Sequence, residues 1–125
     1  MTKKANMKIS QEIIEYNDEI IIRIGKNANS NTMMVRIADR SDTWIHVADY
    51  SGAHCIIEAD IEFSSKRDIP PIIRTCCEQL KSNSKKLRDL HSVKFHITNI
   101  SNLKIQKNPG EVSFIDMNLV HNVFV

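Results

Sequence analysis

The sequence predicts an α+β domain: a largely antiparallel sheet built of hairpins, with two helices, in a single domain. Three observations predict it. Two pairs of apolar, β-rich runs are each joined by a short turn signal, Asn17-Asp18 in the first and Asp49-Tyr-Ser-Gly52 in the second, as in hairpins. Between residues 69 and 80 the apolar residues instead recur at helical spacing. After that helix the β-rich runs are separated by turns and not by further helices, so the strands pair antiparallel. A chain of 125 residues holds one core of ordinary size and is too short for two.

The elements follow in order. Residues 1–6 carry no apolar pattern and are expected to fray, leaving residues 7–125 as the domain. Residues 7–16 and 19–24 form the first hairpin, ended by Gly25. Asn27-Ala-Asn-Ser30 offers several helix N-caps ahead of a helix over residues 31–38, with Met33, Met34 and Ile37 on one stripe. Residues 43–48 and 54–59 make the second hairpin. With Ala48 opposite His54, one face carries Trp44, His46, His54, Ile56 and Glu58. The other carries Ile45, Val47, Cys55 and Ile57, the better core face. Asp68 starts the second helix, with Pro70 and Pro71 in its first turn, and Ile69, Ile72, Ile73, Cys76, Cys77 and Leu80 form its buried stripe. Residues 93–97, 103–105, 112–115 and 120–125 complete the strands, with Pro109-Gly110 as a turn.

Charge and cysteine content narrow the function classes. The net charge of +2 comes from 17 basic against 15 acidic residues, so composition alone gives no nucleic-acid signal and any binding surface must arise from distribution. Three cysteines, two of them adjacent, do not form a secreted disulfide framework and favour a reducing compartment. No apolar run approaches a membrane span and no signal-peptide core follows Met1. A cytoplasmic protein without membrane association is expected.

The constellations with chemical potential are few. Trp44 and His46 project from one strand face, where an aromatic beside an imidazole can stack on a base and hydrogen-bond a phosphate or base edge. The competing reading is a Trp packed in a secondary core beside a satisfied His. His46, His54 and Cys55 do not make a zinc site, because His54 and Cys55 point to opposite faces and no fourth ligand has a recognised spacing. No metal or cofactor is expected. Lys81, Lys85, Lys86 and Arg88 place four cations at a helix end, a phosphate-tracking patch or a solvated terminus favoured by the helix dipole. Lys104 and Lys107 extend that patch if the sheet brings them near.

Six pieces, in order, together resemble the NFACT-R family, the RNA-binding module of NEMF and fibronectin-binding-protein-A-like proteins. They are Gly25-Lys26-Asn27 followed by Asn31; Asp42-Thr-Trp44-Ile-His46, similar to a D-x-W-x-H core; and Gly52-Ala53-His54, similar to G-[SA]-H. Lys81-Ser-Asn-Ser84-Lys85, Val93-Lys-Phe95 and Lys107-Asn-Pro109-Gly110-Glu-Val112 follow. The resemblance covers residues 20–114 and is especially close to a stand-alone eukaryotic coiled-coil-domain form. Two departures stand out. The sequence stops at Val125, ahead of that form's charged extension, and it lacks the amino-terminal domains of the large quality-control factors, so their tailing and ribosome-clearing activities are not implied.

What the resemblance implies is a non-catalytic module for structured RNA, tRNA or ribosomal RNA, in translation or ribosome-associated quality control, with the large ribosomal subunit as a partner. The implied RNA-binding residues are Lys26, Asn27, Asn31, Asp42, Trp44, His46 and His54, joined by Lys81, Lys85, Lys86 and Arg88; Asp42 orients His46 or its loop in an alternative reading. DNA stays open as a ligand. Two rivals stand: a protein-interaction or homodimerisation module using residues 120–125 as a sheet edge, and a hydrolase or nuclease using His46 and His54 as acid and base.

Overall fold

A computed structural model describes residues 9–63 and 68–125 of the chain. Fraying of residues 1–6 and the start of the first strand at residue 7 lie outside the described residues. The first hairpin pairs β1 (Gln11–Tyr16) with β2 (Ile20–Gly25). Asn17 and Asp18 both take left-handed backbone, φ 54° and 58°, which Asn and Asp tolerate better than other side chains. The Glu19 N–H donates to the Tyr16 carbonyl at 3.2 Å and closes the turn.

The first helix, α1 (Ala28–Ile37), begins three residues earlier than the sequence suggests. Its N-cap is Asn27, whose Oδ1 accepts the Ser30 N–H at 2.8 Å. The buried side runs through Ser30, Asn31, Met34 and Val35, so Met34 keeps its predicted place while Met33 and Ile37 are half-buried. Asn31 is buried because it bonds across to the loop before β4, donating to the Gly52 carbonyl and accepting the His54 N–H.

The second hairpin is β3 (Thr43–Val47) with β4 (Cys55–Ile57). Its register sets Trp44 opposite Ile56 and Ile45 opposite Cys55, two residues away from the expected pairing of Ala48 with His54. An even slip preserves the faces. It arises because His54 bonds elsewhere: its N–H donates to Asn31 Oδ1 at 3.2 Å and its carbonyl accepts the Gly25 N–H at 3.0 Å.

Helix α2 (Pro71–Ser82) starts three residues later than expected. Pro71 disfavours helical backbone in the residue before it, and Pro70 accordingly has ψ 139°. Ile69 packs on the core from outside the helix. Then come β5 (Lys94–Asn99), β6 (Leu103–Ile105), β7 (Val112–Phe114) and β8 (His121–Phe124). The main sheet has the order β1-β2-β4-β3-β5-β8 with every neighbour antiparallel, and β6-β7 forms a separate ribbon.

Two cores flank the main sheet. One face, with Ile22, Ile24, Ile45, Val47, Cys55, Ile57, Phe95 and Ile97, packs on the α2 stripe. The other, with Trp44 and Ile56, packs on Met34 and Val35 of α1 and on Leu103 of the ribbon. Cys55, Cys76 and Cys77 are buried free thiols within the first core, and burial raises the Cys77 thiol above its ordinary range. Among the described residues no helix is long and apolar enough to cross a membrane.

Candidate nucleic-acid interface

A solvent-open concavity of about 680 Å³ lies on the α1 side of the sheet. Adjacent strands build its floor: Trp44 and His46 come from β3, and His96 from β5, where it stands directly opposite His46 in the ladder. Three segments wall it, the turn from Gly25 into α1, the loop of residues 49–54, and the Pro109-Gly110 turn of the ribbon.

A chain of hydrogen bonds holds these walls in place. The Trp44 indole Nε1–H donates to His54 Nδ1 at 3.1 Å, which leaves the ring proton of His54 on Nε2, directed at the Gly110 carbonyl. The Gly110 N–H in turn donates to Thr32 Oγ1 of α1 at 2.7 Å. Asn31 accepts the His54 N–H at 3.2 Å and donates from Nδ2 to the Gly52 carbonyl at 3.4 Å. Glycine is required at two points of this frame. A Cβ at Gly25 would collide with Asn31 Oδ1, and Gly110 has φ 81°, the third position of a Pro-Gly turn closed from Glu111 N–H to the Asn108 carbonyl at 3.1 Å.

Burial disfavours the charged form of all three imidazoles. Burial, reinforced by the nearby His46, pushes His54 down to about 3. Burial also lowers His46, against the opposing pull of the Gly52 carbonyl, and lowers His96 with help from Lys94. The formal charges among the described lining residues are Lys26 on one side and Asp49 and Glu111 on the other.

The concavity gathers six of the residues expected from sequence, Lys26, Asn27, Asn31, Trp44, His46 and His54. Their roles differ from expectation. Trp44 is only 2% exposed, so its ring is not an open stacking surface. It stacks on His46 at 5.6 Å and meets His54 and Phe114 edge-on. Asn27 caps α1, while Asn31 and His54 are buried in the frame. Lys26 is exposed and His46 only partly buried, which leaves these two able to meet a ligand.

The other five lie elsewhere. Asp42 is buried and its Oδ2 accepts the Asp39 N–H at 3.1 Å, so it orders the loop entering β3. Lys81 folds back on the chain, its Nζ 3.4 Å from the Val125 carbonyl. Lys85, Lys86 and Arg88 are exposed after α2, whose packing face belongs to the opposite side of the sheet. The helix-end cations therefore follow an element on the other side of the sheet from Lys26, and Lys104 and Lys107 do not line the concavity.

Sequence reasoning missed Tyr50, Asp49, Glu111 and His96 at the site. Asp49 and Tyr50 stood inside a segment read only as a turn. His96 joins through the β3–β5 ladder, a pairing of distant segments that no local pattern announces.

Residues 12–116 match the family described as NFACT protein RNA binding domain. The chain is 30% identical over 115 residues to the Rqc2 homolog RqcH of Bacillus subtilis (strain 168), a match covering 91% of this chain and 19% of that protein. It thus spans about a fifth of the length of that curated relative. The solved structure of the C-terminal part of the fibronectin/fibrinogen-binding protein from Streptococcus suis has a similar fold. The TM-score is 0.68 at 20% identity, over 95% of this chain and 45% of that one. The family match spans most of the chain: this chain belongs to the NFACT protein RNA-binding domain family.

Proposed function

We propose that the domain binds structured RNA, tRNA or ribosomal RNA, without transforming it, and serves translation or ribosome-associated quality control by docking on ribosome-bound RNA. One observation carries this reading: motif residues from separate segments converge on a single open concavity whose surface offers Lys26, His46 and His96. Lys85, Lys86 and Arg88 provide a second, exposed set of cations for phosphates. Binding without catalysis fits the state of His54. Its ring is 1% exposed, one nitrogen accepts from Trp44 and the other faces the Gly110 carbonyl. With both nitrogens engaged, His54 is poorly placed to exchange a proton with a substrate, which supports binding over acid–base chemistry with His46.

The test is titration of fluorescent tRNA at several salt concentrations. Four phosphate contacts give a log–log slope of about −3 to −4. The combined change of Lys85, Lys86 and Arg88 to alanine should weaken binding and flatten that slope with the melting temperature unchanged. Affinity that does not respond to salt contradicts the phosphate contacts, and cleavage of the labelled RNA contradicts the non-catalytic reading.

A second reading has its own observation. Ile115, Met117, Leu119 and Phe124 are all exposed, and Phe124 belongs to β8 at the sheet edge. Such a surface suits a protein partner or a second copy. Light scattering across a concentration series distinguishes the second copy.

A further inference from the structure

The concavity is poorly suited to a run of phosphates. Among its described lining residues Lys26 is the formal cation, Asp49 and Glu111 are anions, and burial disfavours the charged form of the three imidazoles. A groove that tracks a phosphate backbone carries the opposite balance. Its interior suits a neutral, planar group instead. The volume falls in the range of small-molecule pockets, and Ala28, Pro109, Val112 and Phe114 supply apolar wall.

The rim adds an open ring. Tyr50 is 46% exposed, whereas Trp44 and His54 are buried and His46, His96 and Phe114 partly so. Its neighbour Asp49 takes left-handed backbone, φ 67°, just after Ala48 is tied to β5 by its N–H to the Lys94 carbonyl at 2.9 Å. That turn leads the chain out of the sheet at Tyr50. The charge of Asp49 also opposes the lowering of the His96 pKa, and both residues line the concavity.

The geometry points to a receptor for one unpaired nucleotide: its base stacks on Tyr50, its N–H edge donates to Asp49 or Glu111, and its phosphate stays outside at Lys26. This rests on the RNA reading above and deepens it. A base held in a duplex cannot present both its face and its hydrogen-bonding edge, so the site selects single strands, bulges or splayed loop bases.

The experiment compares three forms of one RNA of about ten nucleotides by fluorescence anisotropy: the single strand, the same strand annealed to its complement, and the strand with abasic residues that keep every phosphate. The single strand should bind about tenfold or more tightly than the other two, the order expected of one base–aromatic stack. Tyr50→Ala should erase that difference with melting unchanged, since the side chain is exposed. Tyr50→Phe should restore it. Asp49→Asn, which tolerates the left-handed backbone, should reduce the preference for the single strand. Equal binding of all three forms, or full discrimination by Tyr50→Ala, overturns the base receptor and leaves the RNA reading standing. If no form binds, and tRNA does not bind either, both fall.

Discussion

Trp44→Ala should lower the unfolding free energy by about 3–5 kcal/mol, the usual cost of emptying a buried aromatic site. That is a large part of the roughly 5–15 kcal/mol that holds a small domain together. The indole fills the second core against Ile56 and Met34 and donates to His54 at 3.1 Å. Its removal leaves a cavity and a buried imidazole acceptor without its donor. Urea denaturation measures the effect. Trp44→Phe separates the two contributions, because it keeps most of the ring and loses the bond; it should cost about 1–3 kcal/mol, as for one orphaned buried acceptor. A Trp44→Ala protein that unfolds with wild type and loses only RNA affinity would contradict the packing.

Acidification should destabilise the fold well before the carboxylates titrate. His54 has an ordinary pKa near 6.5 when unfolded and about 3 when folded. Above pH 6.5 both states are neutral and stability is complete. Below it the unfolded chain takes a proton that the folded ring refuses, so stability falls by about 1.4 kcal/mol per pH unit until pH approaches 3. By pH 5 the loss from His54 alone is about 2 kcal/mol, and His46, lowered by the same burial, steepens it. Urea midpoints at pH 7.5, 6 and 5 follow the decline. His54→Asn can still accept the indole N–H and does not titrate, so its slope over this range should be shallower. An unchanged slope in that variant would place the proton uptake elsewhere.

Much of this architecture was legible because its signals are local. The spacing of Ile72, Ile73, Cys76, Cys77 and Leu80 fixes the α2 face whatever lies opposite. Alternation along β3 separates Trp44 and His46 from Ile45 and Val47, and a two-residue slip in register does not disturb it. Proline chemistry moved the start of α2, and side-chain hydrogen bonds moved the register of β4. Both depend on three-dimensional partners. The site was half legible. The motif residues Trp44 and Asn31 attract attention as ligand contacts, and the structure shows them buried and hydrogen-bonded within the frame. Tyr50, an unremarked turn residue, holds the exposed ring. Whether a polar or aromatic side chain faces inward or outward is decided by non-local packing, and spacing along the chain does not report it.

The ladder that sets His46 against His96 also has a consequence for the order of assembly. Residues 46 and 96 are fifty positions apart, and closing so long a loop costs chain entropy before any contact rewards it. The β1–β2 and β3–β4 hairpins close short loops and can form without it. A chain in which only the hairpins have formed lacks the His96 part of the floor and gains it when β5 docks. Binding by this surface is then expected to be a late event in folding. In stopped-flow refolding, capture of a fluorescent RNA should appear no earlier than the slowest phase of Trp44 burial.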